Sequence, residues 1–376
     1  MQAVILAGGK GTRLHTPTTT VPKPMLPLFD CPVMEHTIRL LAKQGIKDII
    51  VTVSGSNRDI ITYFGDGSRW NVNIRYSVET EPMGTAGSVK TIQGMVSKAF
   101  IVIPGDCVTD FDLNNALHQH KSASAIASIL LYEDADPTEF GVPTLDTNGK
   151  LTKFIEKPRA REVVSNTIST GIYILEPEVL SCIPYGHEFD FARELFPRML
   201  NNQEPVYGFS LPGYWCDISN PIKYRNVHSD ALTERVKLEL PATHIGEGIW
   251  LGEGVIIDSS VELTGPMFLG SGVSVMRNAI IGERTIIGAD SHIGEGARIT
   301  RSSIGSRSNI GSNITISDCI IGSDYTLADN ETITDLIFLT GTKYSITPKT
   351  SPSIRTPILP IKQPAEERNI NPRLVV

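Results

Sequence analysis

Apolar residues follow two different rhythms along the chain. Up to about residue 232 they fall into short runs of four to seven, separated by stretches that repeat at helical spacing. Ala3–Ala7, Ile49–Val53, Ala99–Ile103 and Ala125–Leu131 each read as a strand buried on both faces. Helical segments over Val33–Gln44 and around Ala86–Met95 come between them. Such alternation predicts an α/β domain with a mostly parallel sheet covered on both sides. From Ile245 the rhythm changes. An aliphatic residue recurs every sixth position at Ile245, Leu251, Ile257, Leu263, Leu269, Val275, Ile281, Ile287, Ile293 and Ile299. After a five-residue step it continues at Ile304, Ile310 and Ile316, then at Ile321, Leu327 and Ile333. Glycine often follows the aliphatic residue, as at Gly282, Gly288, Gly294, Gly305, Gly311 and Gly322. This hexad repeat predicts a parallel β-helix whose coils stack with the aliphatic side chain inward. The organisation expected is therefore a domain over 1–232, a linker over 233–243, a β-helix over 244–340 and a proline-rich tail over 341–376, extended or disordered.

Composition narrows the classes of function. A chain of 376 residues with 40% hydrophobic and 20% charged residues is ordinary for a soluble globular protein. Its formal charge of −7 speaks against a nucleic-acid binder, so any phosphate site must be a local cluster of cations. The five cysteines are scattered, with no CxxC pair, which suits a reducing cytoplasmic setting without zinc. No apolar run approaches the length of a membrane span, and no secretion signal opens the chain.

The chemistry is concentrated at the expected carboxyl ends of strands, where ligands of open α/β sheets sit. After Ala3–Ala7 comes Gly8-Gly9-Lys10-Gly11-Thr12-Arg13, then Lys23-Pro24-Met25. It matches neither the Rossmann G-x-G-x-x-G nor the P-loop pattern, and a lone Gly-Gly is usually an ordinary turn. Cations beside a glycine turn at a strand end nevertheless suit a phosphate chain. Gly105-Asp106 and Cys216-Asp217 supply two carboxylates that could hold one Mg²⁺ against phosphate oxygens. Taken singly, an aspartate after a turn is more often a cap, and a strand-end lysine such as Lys157 is more often solvated surface.

Taken together, the glycine loop, Lys23-Pro24, Pro82-Met83-Gly84-Thr85-Ala86-Gly87, Gly105-Asp106, Phe154-Ile155-Glu156-Lys157-Pro158, Thr170-Gly171-Ile172-Tyr173 and Tyr214-Trp215-Cys216-Asp217 resemble the sugar-1-phosphate nucleotidyltransferases. The junction through Gly246-Glu247-Gly248-Ile249-Trp250 is similar to that of mannose-1-phosphate guanylyltransferases, which carry a left-handed β-helix. The resemblance covers roughly residues 1–340. It implies a Rossmann-like nucleotidyltransferase domain and the condensation of an NTP with a sugar-1-phosphate to an NDP-sugar and pyrophosphate. GTP and mannose-1-phosphate are favoured. Glucose-1-phosphate with UTP, dTTP or ATP is the alternative, as is a silent regulatory subunit that binds nucleotide sugar. Retention of Arg13, Lys23, Asp106, Lys157 and Asp217 argues against the silent reading.

Carried to this chain, the resemblance implies that Leu6, Ala7, Gly8, Gly9, Gly11, Thr12, Gly84 and Thr85 bind the nucleotide. Arg13 and Lys23 would neutralise charge on the reacting phosphates, and Asp106 and Asp217 would ligate Mg²⁺. Gly141, Glu156, Lys157 and Thr170 would hold the sugar phosphate. His15-Thr16, Ser169 and Ser219 depart from what relatives commonly show, and Ser169 loosens the sugar assignment. An acyltransferase role for the β-helix is disfavoured, since His244 and His292 are its two histidines and no long loop interrupts the coils. The helix is instead expected to be a platform for homo-oligomer assembly. Phe268, Trp250 and Met276 are candidate contacts because they lie off the ladder; packing elsewhere in the same chain is the competing reading.

Overall fold

A computed structural model describes residues 1–9, 21–339 and 342–345. Contacts divide the chain into two compact units. The first takes Pro22–Met25 and Val33–Asp217 together with the N-terminal strand. Eleven strands matter here: β1 (Gln2–Ala7), β2 (Asp48–Ser54), β3 (Asn73–Glu79), β4 (Phe100–Pro104), β5 (Cys107–Thr109), β6 (Ala127–Glu133), β7 (Gly141–Leu145), β8 (Leu151–Glu156), β9 (Thr167–Leu175), β10 (Val206–Ser210) and β11 (Trp215–Asp217). Seven of them form one sheet in the order β10-β6-β9-β4-β1-β2-β3. Every neighbouring pair in it is parallel except those made by β9. Valine, isoleucine and alanine fill β1 because both of its faces are covered: Ala3, Val4 and Ile5 have no exposed surface. The helices are α1 (Val33–Lys43), α2 (Arg58–Phe64), α3 (Gly84–Lys90), α4 (Leu113–Ser122) and α5 (Phe196–Asn201). One face of the sheet packs Met34, Ile38 and Leu41 of α1, the other Ala86 and Val89 of α3. The helix expected around Ala86–Met95 begins two residues earlier, and a separate 3₁₀ turn forms over Gln93–Met95.

The second unit contains Leu26–Pro32 and the chain from Ile218 onward. Helix α6 (Pro221–Leu232), expected with the first domain, thus groups with the second unit. Beyond it the chain winds into three parallel sheets of eight, five and five strands; the eight-stranded one has an antiparallel strand at each end. Successive coils first differ by eighteen residues, as in Ile249↔Met267, and later by seventeen, as in Ser303↔Ile320. The change follows from the five-residue steps in the ladder. From Leu269 to Ile333 the ladder residues are buried and form one apolar column. Ile245 departs from expectation: it lies on the terminal antiparallel strand Thr243–Gly246 and is 57% exposed. Glycine after the ladder residue has a plain cause. At Gly288 a Cβ would stand 2.5 Å from Ser306 N of the next coil, so nothing larger fits the corner. Corner residues such as Asn278, Asp290 and Asp324 take positive φ, a conformation Asn and Asp tolerate.

Two further findings bear on the sequence reading. Phe268 is fully buried, its ring edge-on to Phe29 at 5.0 Å, so it is not a free assembly contact. Trp250 stacks on His244, while Met276 remains half-buried. Thr342–Ser345, assigned to an extended tail, pair antiparallel with Leu336–Leu339; the rest of the tail lies outside the described residues.

Candidate active site

Strands β1 and β4 are parallel neighbours, with Leu6 opposite Pro104, so Gly8 and Gly105-Asp106 emerge at the same edge. Gly105 N donates to Leu6 O at 2.9 Å, drawing the two chain ends together. A Cβ on Gly105 would stand 3.1 Å from that carbonyl and 3.3 Å from Pro24, so the turn is tight on both sides. Pro24 belongs to a 3₁₀ turn over Lys23–Met25, closed by Met25 N donating to Pro22 O at 2.8 Å. Two prolines and this closure stiffen the segment. Lys23 Nζ consequently lies 3.8 Å from Asp106 Oδ2, with the lysine side chain 12% exposed and the aspartate 34%.

Asp217 arrives from β11, antiparallel to β5, and pairs with Cys107, the residue after Asp106. That register is locked by the preceding turn: Tyr214 N donates to Asp110 Oδ1 at 2.6 Å, and Thr109 Oγ1 donates to Tyr214 O at 2.8 Å. Both carboxylates act on the wholly buried Cys107 thiol, whose pKa is pushed up by burial first and by Asp106 and Asp217 next. Two carboxylates and one ammonium therefore share the edge where the glycine loop begins. Among the described residues no group of three or more His, Cys, Asp or Glu side chains forms a metal cage. The donor set fits a hard divalent cation held by two carboxylates with its remaining positions left to substrate phosphate and water.

Gly84 starts α3 with φ of +68°, and a Cβ there would meet Phe189 O at 2.6 Å. The same carbonyl accepts from Ala86 N and Gly87 N, both at 2.9 Å. Thr85 Oγ1 donates to Asp190 Oδ2 at 2.8 Å and accepts from Phe191 N at 3.0 Å, so this hydroxyl braces the helix. Gly141 and Glu156 face each other across the β7–β8 pair. A Cβ on Gly141 would lie 3.0 Å from Glu156 Oε2 and 2.3 Å from the Phe154 ring. Lys157 follows with φ of +49°, its N–H donating to Phe140 O at 2.9 Å. Positive φ on a lysine is a strained backbone held by its surroundings. Thr170, 2% exposed, donates its hydroxyl to Leu130 O at 2.7 Å and accepts from Ile172 N at 3.2 Å. Its side chain is thus committed inward. The next residue, Gly171, adopts φ of +76°, and a Cβ there would be 3.0 Å from Pro104.

Leu6, Ala7, Gly8, Gly9, Lys23, Asp106 and Asp217 are therefore gathered at one sheet edge, with Gly171 packed beside it. Gly11, Thr12 and Arg13 lie outside the described residues. Sequence reasoning missed Glu79 and Asp190. Glu79 ends β3, is 8% exposed, and lies against Gly8: a Cβ on Gly8 would be 3.2 and 3.3 Å from its two carboxyl oxygens. Its pKa is raised by burial, against contacts from Ser88 and the Met83 backbone. Asp190 caps the turn at Phe191 by accepting from Ala192 N and Arg193 N. The signal for both was a carboxylate beside a motif, which the sequence offers equally at solvated strand and helix ends.

Comparison with known proteins agrees with this geometry. The nucleotidyl transferase family model matches residues 2–234, and a model described as the GMPPB C-terminal domain matches residues 263–367. A UTP–glucose-1-phosphate uridylyltransferase of Synechocystis is 36% identical over 75% of this chain and 78% of its own. A mannose-1-phosphate guanylyltransferase of Mycobacterium tuberculosis is 31% identical over 73% of this chain and 76% of its own. The crystal structure of HddC from Yersinia pseudotuberculosis complexed with GMP-PN is similar at a TM-score of 0.53 and 27% identity, over 60% of this chain and 96% of that one. No helix among the described residues is long and apolar enough to cross a membrane. With strand-end glycines, a lysine–aspartate pair and a second aspartate at one sheet edge, and a family model spanning the whole of that domain, the chain belongs to the nucleotidyl transferase family, among its sugar-1-phosphate nucleotidyltransferases.

Proposed function

We propose that the protein condenses GTP with mannose-1-phosphate, giving GDP-mannose and pyrophosphate. The observation that carries the reaction type is Lys23 Nζ at 3.8 Å from Asp106, on the edge where Gly8 and Gly9 leave β1 and Asp217 arrives opposite Cys107. The glycine turn lets backbone N–H groups approach the triphosphate. Lys23 stabilises the charge that builds on the α-phosphate as the sugar phosphate oxygen attacks in line. Arg13 neutralises the departing pyrophosphate. Lys157, placed by its strained backbone, orients the incoming sugar phosphate beside Gly141 and Glu156. Such chemistry needs positioning and charge neutralisation rather than a covalent enzyme group. Asp106 and Asp217 would hold Mg²⁺, which when bound draws charge off the phosphate oxygens and fixes their orientation.

The guanine and mannose assignment is supported by the match of the second unit to the GMPPB C-terminal domain and by relatives named mannose-1-phosphate guanylyltransferase in bacteria, fungi, plants and flies. A second reading, UTP with glucose-1-phosphate, is favoured by the 36% identical Synechocystis relative. Pyrophosphate release from four NTPs, each with mannose-, glucose- or N-acetylglucosamine-1-phosphate, decides between them. The expected result is release that needs a sugar-1-phosphate, stops in excess chelator, and is fastest with GTP and mannose-1-phosphate. Full activity in chelator would overturn the Mg²⁺ role. Release without any sugar phosphate would overturn the reaction.

A further inference from the structure

Asp217 reaches the candidate site on a thinly supported element. Strands β5 and β11 have three residues each and form a two-stranded sheet of their own, apart from the seven-stranded one. A pair of that size is marginal by itself, and a slip of one residue would turn every side chain of β11 to the opposite face. Some further contact must therefore hold Asp217 opposite Cys107. It lies just past the other end of the pair, where Thr109 faces Trp215. Tyr214 N donates to Asp110 Oδ1 at 2.6 Å, while Tyr214 O accepts from Thr109 Oγ1 at 2.8 Å and from Asp110 N at 3.3 Å. Two consecutive residues thus take both polar groups of one backbone unit. The fit is close: Gly213 has φ of +131°, and a Cβ on it would stand 2.7 Å from Asp110 Oδ1. The carboxylate reaches Tyr214 N only past a glycine. Asp110 is itself braced from the chain that follows. Phe111 is fully buried, its carbonyl accepts from Gln44 Nε2 at 2.8 Å, and Asp112 caps α4 by accepting from Asn115 N at 2.9 Å.

We infer that Asp110 is a positioning residue for the second carboxylate of the site: its bond to Tyr214 N sets the register of β11 and, through it, the place of Asp217. An ionised acceptor makes the shorter and stronger bond, which suits a contact that must hold a three-residue strand in one register. Residues that orient a metal ligand from outside its coordination shell commonly change metal affinity by about ten- to a hundredfold. The inference rests on reading Asp106 and Asp217 as the Mg²⁺ ligands. A purely structural role for Asp110 makes a different prediction, a lower melting temperature with the metal affinity of the folded protein unchanged.

Mn²⁺ alone, titrated into the full-length protein and followed by electron paramagnetic resonance of the free ion, reads the site without turnover. Asp217→Ala should weaken Mn²⁺ binding at least about tenfold, and Asp110→Ala should weaken it about tenfold although Asp110 is not a ligand. The two substitutions together should cost no more than about twofold beyond Asp217→Ala, because a ligand that is gone needs no positioning. Asp110→Asn keeps an acceptor oxygen for Tyr214 N and should bind Mn²⁺ within about threefold of the wild type. Thermal melts of the same samples report the fold. Where Asp110→Ala melts below the assay temperature, Gly213→Ala tests the same contact from the other side, since its Cβ displaces the carboxylate and leaves Asp110 in the chain. Wild-type Mn²⁺ affinity in folded Asp110→Ala would overturn the inference, as would a full further loss when that change is added to Asp217→Ala. Failure of the metal reading is distinguishable: Asp217→Ala would then bind Mn²⁺ as the wild type does, and the inference would fall with it.

Discussion

Removing the Lys23 ammonium tests whether the edge is built for charge neutralisation. The side chain is 12% exposed and held by a proline-stiffened turn, so its position is set before substrate arrives. At about 4 Å and an effective dielectric near 20, a unit charge pair is worth about 4 kcal/mol, which converts to about a thousandfold in rate. Asp106 is one-third exposed, so solvent screens part of that term. Lys23→Ala should therefore lower kcat by roughly a hundredfold to a thousandfold. Stability should move little, because the 3.8 Å pair with Asp106 is long and partly wet, worth about 0–1 kcal/mol. The assay is initial-rate pyrophosphate release with the preferred NTP and sugar phosphate, beside a thermal melt of the same sample. Lys157→Ala supplies the contrast. It lies after β8 and not on the Lys23 turn, so it should chiefly raise the KM for the sugar phosphate. A Lys23→Ala enzyme with near-normal kcat would refute the reasoning, as would a loss of rate matched by a loss of fold.

Two other outcomes follow from the second unit. Asp30 is largely buried, and desolvation raises its pKa from 3.8 against hydrogen bonds from Ala289 N, Ser271 N and Ser306, with Asp290 adding to the rise. The native state then holds the proton more tightly than the unfolded chain, so this group's contribution to stability falls as pH rises from 3.8 through the folded-state pKa. Asp30→Asn should flatten that part of the melting-temperature profile, and identical profiles would show that Asp30 is not the group responsible. The full-length chain should behave as a homo-oligomer in light scattering, assembled through the β-helix, where Ile245 and Ile256 are 57% and 51% exposed on the first coil. A monomer at micromolar concentration would refute the platform role.

What could be read from the chain alone depended on whether the controlling contacts were local. The β-helix ladder was legible because each hexad repeats the same burial. Ile287, Ile293 and Ile299 all reach the interior for one reason, and the glycines after Ile287 and Ile293 mark corners pressed against the next coil. Asp106 was legible as a carboxylate at a strand end, and the parallel neighbours β1 and β4 bring Gly8 and Asp106 to one edge whatever the loops between them do. Lys23, on a 3₁₀ turn, and Asp217, brought in by the antiparallel pair β11–β5, took their roles from the family resemblance. Phe268 was not legible. Its place beside Leu269 turns it away from the ladder, and a hexad pattern says only that it points outward. The outward surface is covered by Phe29, some 239 residues earlier in the chain, with Asp30 accepting from Ala289 N beside it. Tyr224 and His228 of α6 complete that cover: the tyrosine hydroxyl donates to Pro27 O, and the histidine ring packs on Phe29 at 5.7 Å. No local pattern specifies such a lid, since Leu26–Pro32 alone reads as a proline-bounded turn. Its presence changes what the second unit is. The β-helix folds with a hairpin and α6 taken from the sequence assigned to the first domain, so a cut after Leu232 would strip Phe29, Tyr224 and His228 of the surface that buries them. Assembly is therefore better tested on the intact chain, by charge substitution at Ile245 and Ile256, than by deleting the β-helix.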